Sequence, residues 1–253
     1  MSNKIMGYVL ATLRLFAYIG IFIIFVLIGL TVHILFFLSE SKRFNWISFF
    51  THYWAKTTCW ILNFRFEIHG EKSHRPGSLI VANHVGTPDV FILGAFTKGF
   101  FVSKAEILDW PFFNFLAWLG MTIFADRKNK SQIRSIINKM ETRLNSNCSV
   151  IIFPEAQATD GTDVIPFKSA VFESAVRAKA PVIPVTVKYH DGNQPTIAYY
   201  GDSFFKHMLT LLKTPSLRAT VFVLPEIAAG PDRSQLARVS YNAVRNCHRD
   251  IIR

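Results

Sequence analysis

The apolar positions of this chain change rhythm along its length. Residues Leu15 to Leu38 run for 24 residues without a formal charge. As a helix such a run extends about 36 Å at ~1.5 Å per residue, enough to cross a hydrocarbon layer of about 30 Å. The run is longer than the apolar core of a signal peptide, and no small-x-small cleavage pattern follows it. A core helix of a soluble body is the other reading, and the length argues for a membrane anchor over residues 1–43. Phe44 to Phe64 then mixes polar residues with Trp46, Tyr53, Trp54 and Trp60. This pattern suits a helix lying at a headgroup layer, or the first packing helix of the body, and both readings are open.

From about Arg65 the texture changes to short β-rich runs separated by helical patterns. Strands are expected at Ser78–Ala82, Phe100–Ser103, Thr122–Phe124, Val150–Phe153, Val182–Lys188, Thr196–Tyr200 and Ala219–Leu224. Ile133, Ile136, Ile137, Met140 and Leu144 recur at helical spacing after the polar Lys128–Lys130. Ala170 to Ala175 fits a short helix stopped by Pro181, and Asp232 is placed to cap a last helix carrying Leu236, Val239, Val244 and Cys247. Strands alternating with helices predict an α/β layered domain with a mostly buried mixed sheet over 65–253. No internal repeat or second domain is visible.

Composition narrows the partners. Half of the 253 residues are apolar, Phe occurs 24 times, and the formal net charge is +11. A basic balance with that much apolar content fits an anionic membrane surface or a phosphorylated substrate. The basic residues are scattered and match no nucleic-acid-binding motif, so nucleic acid is not an expected partner. Lys42, Arg43 and Lys56 after the anchor outweigh Lys4 and Arg14 before it, which places the body on the cytoplasmic side. Cys59, Cys148 and Cys247 are widely spaced and read as reduced thiols, with no metal-ligand pattern.

Candidate chemistry sits in the stretch SLIVANHVGTPDVFIL, Ser78 to Leu93. A polar island interrupts two apolar runs, with His84 just past a strand and Asp89 near the start of the next helix. A turn through Gly86 and Pro88 can return the carboxylate to the imidazole, fixing its tautomer and leaving Nε2 as a proton acceptor. A cap or surface turn is the plain alternative. No G-x-S-x-G elbow supplies a serine nucleophile, and no nearby second His or Cys completes a zinc site. A catalytic His84 would therefore activate a hydroxyl brought by the substrate. Three further stretches are notable: Gly120-Met-Thr-Ile-Phe-Ala-Asp-Arg127, Phe153-Pro-Glu-Ala-Gln157, and Ala180-Pro-Val-Ile-Pro-Val185. Arg127 can hold a phosphate or form a strand-end salt bridge. Glu155 can orient a substrate group or cap the next segment. The prolines of the last stretch give a strand a rigid entry.

Together these four stretches resemble the glycerophospholipid acyltransferase family, in particular the 1-acylglycerol-3-phosphate acyltransferases. NHVGTPD resembles the N-H-x-x-x-x-D block, GMTIFADR the G-x-x-F-x-x-R block, FPEAQ the F-P-E-G-T block, and APVIPV the V-x-P-V/I-x-V/I block. The resemblance implies transfer of an acyl chain from CoA or acyl carrier protein to the hydroxyl of a lysophospholipid at a membrane. No cofactor beyond the donor substrate and no metal is implied. It implies His84 as general base, Asp89 as its orienting partner, Arg127 and Lys104 on the acceptor's phosphate, and Asn83 and Glu155 beside the acceptor. The backbone N–H groups around Asn83–Gly86 are the expected oxyanion donors. One block departs from the family. Ala156 stands in place of glycine, so the loop is expected to lose access to positive φ; Gln157 stands in place of threonine, and no arginine follows. The continuation from Thr159 through Lys168 resembles a branch that includes bacterial lyso-ornithine lipid acyltransferases. Lys168 is then either a replacement charge or a solvated lysine. A non-catalytic basic module for membrane surfaces is the reading from another class.

Overall fold

The computed structural model describes residues 2–71, 74–109, 113–125, 132–190, 197–198 and 204–250. Two long helices come first: α1 (Ser2–Leu35) and α2 (Glu40–Ile61). The body then runs β1 (Phe64–Gly70), β2 (Leu79–Ala82), α3 (Thr87–Phe96), β3 (Gly99–Lys104), α4 (Phe113–Leu119), β4 (Ile123–Ala125) and α5 (Ile133–Asn145). It continues with β5 (Ser149–Ile152), α6 (Glu173–Ala178), β6 (Val182–Tyr189), α7 (Phe204–Lys213), β7 (Leu217–Val223) and α8 (Arg233–Asp250).

The strands form one mixed seven-stranded sheet in the order β1-β7-β6-β2-β5-β3-β4. From β6 across β2, β5 and β3 to β4 all pairings are parallel. The chain reverses between β6 and β7, which pair antiparallel, and β1 runs parallel to β7 on the edge. The parallel block aims the C-terminal ends of β2, β5, β3 and β4 at one edge, where open α/β sheets place their sites.

Side-chain alternation explains why the sheet is covered on both faces. Ile80 and Ala82 of β2 point into a core with Phe91 and Leu93 of α3, Cys59 of α2 and Leu211 of α7. Their neighbours Leu79 and Val81 point the other way, onto Ile136, Met140 and Leu144 of α5, Ala175 of α6 and Val244 of α8. The expected α/β architecture is therefore present as helix layers around a buried mixed sheet. Asp232 caps α8 as expected, its Oδ1 accepting from Ser234 N–H at 2.7 Å.

Three elements lie outside the sequence-based expectation. β1 is one, although Phe64, Phe66 and Ile68 alternate with Arg65, Glu67 and His69. The others are α4 and α7, both short. The strand expected over Thr196–Tyr200 lies outside the described residues except for Ile197 and Ala198, which are buried and not in a strand.

α2 buries Phe44, Ile47, His52, Ala55 and Cys59 on one face, and His52 Nδ1 lies 2.8 Å from the Gly94 carbonyl of α3. Its opposite face leaves Trp46, Tyr53 and Trp60 exposed. Packing helix and aromatic surface are thus two sides of one element. α1 is long and apolar enough to cross a membrane. Most of its large side chains are exposed, among them Phe16, Leu27 and Ile34. It nonetheless packs on α2, α4 and α7. A Cβ on Gly29 would lie 2.6 Å from the Leu119 side chain, so glycine is what lets α1 approach α4. Arg14 is not a free flanking charge. It is 6% exposed, and its guanidinium donates to the carbonyls of Leu62 (3.1 Å), Leu212 (2.9 Å), Thr214 (2.6 Å) and Pro215 (3.0 Å).

Candidate active site

The site is built at the C-terminal edge of the parallel block. β2 ends at Ala82 and the chain turns through Asn83–Gly86 into α3. The turn is tight because Gly86 approaches a neighbouring backbone: a Cβ there would lie 1.9 Å from the Ile197 carbonyl oxygen. Pro88 sits in the first turn of α3, where its missing N–H has no intrahelical partner to lose.

Asp89 reaches back from that first turn. Its Oδ2 accepts from Val85 N–H at 2.7 Å, Gly86 N–H at 3.0 Å and His84 Nδ1 at 2.8 Å. Its Oδ1 accepts from the Tyr189 hydroxyl at the end of β6. The carboxylate is fully buried, while the His84 side chain is 21% exposed. With Nδ1–H given to Asp89, Nε2 is the basic nitrogen on the far side of the ring. The imidazole also lies flat on Phe153, with ring centroids 4.0 Å apart and an interplanar angle of 14°.

The loop after β5 holds the backbone of the same residue. His84 N–H donates to Glu155 Oε1 at 3.2 Å. The His84 carbonyl accepts from Thr159 N–H at 2.9 Å and Thr159 Oγ1 at 3.1 Å. Glu155 is 2% exposed, and its Oε2 has no hydrogen bond among the described residues. Burial pushes its carboxyl up to about 8, opposed by the His84 N–H and reinforced by the Asp89 charge. Further along the loop, Arg245 of α8 grips Asp163 with Nε at 3.1 Å and Nη2 at 2.7 Å, holding that carboxyl well below the usual carboxylate range.

The remaining expected site residues fall as follows. Lys104 ends β3, in register with Ala125 at the end of β4. This is the same sheet edge as His84, two strands away across β5, or about 10 Å at the usual strand spacing. Arg127 lies outside the described residues, two positions past Ala125. Gln157 and Lys168 are exposed, and the Lys168 N–H donates to the Pro154 carbonyl at 2.9 Å. Asn83 has a different use from the one expected. It is buried, its Nδ2 donates to the Val187 carbonyl at 3.0 Å and its Oδ1 accepts from Val187 N–H at 2.8 Å. It therefore ties the end of β2 to β6.

Two further expectations are corrected. The N–H groups of His84, Val85 and Gly86 are already donated to Glu155 and Asp89, so they do not form an open oxyanion hole. Ala156 adopts φ 64° despite its methyl group, with its N–H donating to the Phe153 carbonyl at 3.0 Å. The loop keeps the left-handed turn and the alanine carries a strain of roughly 1 kcal/mol. Sequence reasoning missed Phe153 and Tyr189. The signal for Tyr189 was a hydroxyl at the end of an apolar strand, which needs a buried partner.

The fold and site define a class: α/β proteins with a buried Asp–His pair at the C-terminal edge of a parallel sheet, here with no serine or cysteine side chain hydrogen-bonded to His84 among the described residues. Comparison with known proteins makes this particular. The family model described as Acyltransferase matches residues 65–188. The lyso-ornithine lipid O-acyltransferase of Pseudomonas aeruginosa is 32% identical over 201 residues, 77% of this chain and 76% of that protein. The same enzyme of Rhodobacter capsulatus is 31% identical over 235 residues, covering 86% and 84%. The 1-acyl-sn-glycerol-3-phosphate acyltransferase of Neisseria meningitidis is 30% identical over 168 residues, covering 64% and 66%. The crystal structure of the 1-acyl-sn-glycerophosphate acyltransferase PlsC from Thermotoga maritima superposes with a TM-score of 0.72 at 19% identity, covering 98% and 97%. The chain belongs to the acyltransferase family.

Proposed function

We propose that this protein transfers an acyl chain from an acyl thioester to the free hydroxyl of a lysolipid at a membrane surface, with His84 as general base. The observation that carries this reading is the 2.8 Å contact of His84 Nδ1 with a fully buried Asp89. The hydroxyl proton passes to Nε2 as the oxygen attacks the thioester carbonyl carbon. The tetrahedral adduct then expels the thiolate, which takes the proton back from His84. A thioester needs no covalent enzyme intermediate, so positioning and proton transfer suffice. Acyl-CoA and acyl carrier protein present the same thioester, and both are donors under this reading. The exposed apolar face of α1 and the aromatic face of α2 support a membrane-bound body, and the basic residues after α1 favour the cytoplasmic side.

Lysophosphatidic acid is one acceptor, with Arg127 and Lys104 as the expected partners of its phosphate. A second reading is favoured by the loop Ala156-Gln157-Ala158, which brings no arginine, and by the names of the Pseudomonas and Rhodobacter relatives. It takes lyso-ornithine lipid, which has no phosphate, as the acceptor. Purified protein in detergent, given each donor with each acceptor and read by mass spectrometry of the lipid products, separates the readings. His84→Ala is expected to lower turnover by about 10²–10⁴-fold. Arg127→Ala is expected to reduce use of lysophosphatidic acid more than use of lyso-ornithine lipid. Full activity in His84→Ala sinks the mechanism, and no product from any pairing sinks the function.

A further inference from the structure

We infer that Tyr189 is a positioning residue for the His84–Asp89 pair, holding the carboxylate from a strand 100 residues away in sequence. The inference rests on the proposed general-base reading of His84 for its kinetic consequences, and on geometry alone for its structural ones.

Asp89 has two oxygens, and both accept hydrogen bonds. Oδ2 takes two backbone donors and His84 Nδ1, all from its own turn. Oδ1 takes only the Tyr189 hydroxyl among the described residues. Asp89 is 0% exposed and Tyr189 is 2% exposed, so water does not replace that donor. Tyr189 is buried in the same core cluster as Ala55, Val85 and Leu211, so its hydroxyl is delivered at a fixed depth.

β6 delivers it in register. Two residues earlier on the same strand, Val187 exchanges two hydrogen bonds with the Asn83 side chain, immediately before His84. Val187 and Tyr189 point to the same face of the sheet, so β6 grips both ends of the segment from Asn83 to Asp89. This fixes where the carboxylate sits relative to β2, and therefore where the imidazole points.

The hydroxyl also shares the carboxylate's charge. A donor on Oδ1 draws part of the negative charge away from Oδ2. The other titratable groups facing the pair among the described residues are Glu155 from the loop after β5 and Cys59 of α2.

Tyr189→Phe keeps the ring and removes only the oxygen. In the full-length protein it is expected to lower kcat by about 10- to 50-fold with KM within about twofold, the fold-change of losing one charge-assisted hydrogen bond. The acidic limb of the pH–rate profile should move relative to the parent's. The His84 Nδ1–H proton resonance, read by NMR, should shift or broaden. An unchanged resonance overturns the inference whether or not the protein acylates anything, and so separates its failure from that of the proposed function. A fall in kcat that tracks a loss of Tm, with limb and resonance unmoved, overturns it as well by showing a packing role only.

Discussion

Glu155 shows how the environment of a single residue carries both stability and site geometry. Its carboxyl is neutral in the fold until about pH 8, whereas in the unfolded chain it ionises near 4.5. Between those values the folded state holds the extra proton, so this group makes stability fall as pH rises from about 4.5 to about 8. Glu155→Gln keeps an acceptor for His84 N–H and removes the titration. Thermal melts are expected to show it gaining roughly 5 °C over the parent near pH 8 and little near pH 4.5. Parallel curves for the two proteins would refute this. Of the residues here, His84 and Asp89 were legible because their contact is local, five positions apart across a turn. Asn83 was visible as a residue but not by its role, since its partner Val187 is 104 positions away. Ala156 was misread for a different reason: local preference disfavours its φ, and a turn clamped between Phe153 and Thr159 overrules that preference by tertiary contact.

Among the elements, α1 is the one whose reading changed most. Its apolar length was plain, but Arg14 gives it a fixed seat. That guanidinium donates to carbonyls at and just past the ends of α2 and α7, where helices leave acceptors without intrahelical partners. Arg14→Leu should cost on the order of 2–3 kcal/mol and speed amide hydrogen exchange at the end of α7. Unchanged exchange there would mean that α1 is held by its apolar contacts alone. The missed strand β1 carried a readable two-residue alternation, but a single edge strand is weak until a partner is known. That partner is β7, whose pairing begins at Phe64 with Leu217, more than 150 positions on. α4 and α7 were missed because seven and ten residues give too few turns for a periodicity to stand out.

On the scale of the whole molecule, the net charge of +11 and the exposed apolar face of α1 bear on membrane association in different ways. Charge governs the approach to an anionic membrane and is screened by salt, while apolar burial governs retention and is not. Association with vesicles containing about one-third anionic lipid should therefore slow several-fold between 0.05 and 0.5 M salt, with release little changed. Neutral vesicles should show no such dependence; equal salt effects on both would remove charge from the account. The sequence by itself determined the α/β class, the apolar helix at the front and the His–Asp pair, because each is written in periodicity, length or spacing within a few residues. Only the tertiary structure decided the strand order, the seat of Arg14, the inward use of Asn83 and Glu155, and the hydroxyl of Tyr189 on Asp89. Each of these is a contact between segments far apart in the chain, where a buried polar group must find its partner in whatever the fold brings next to it.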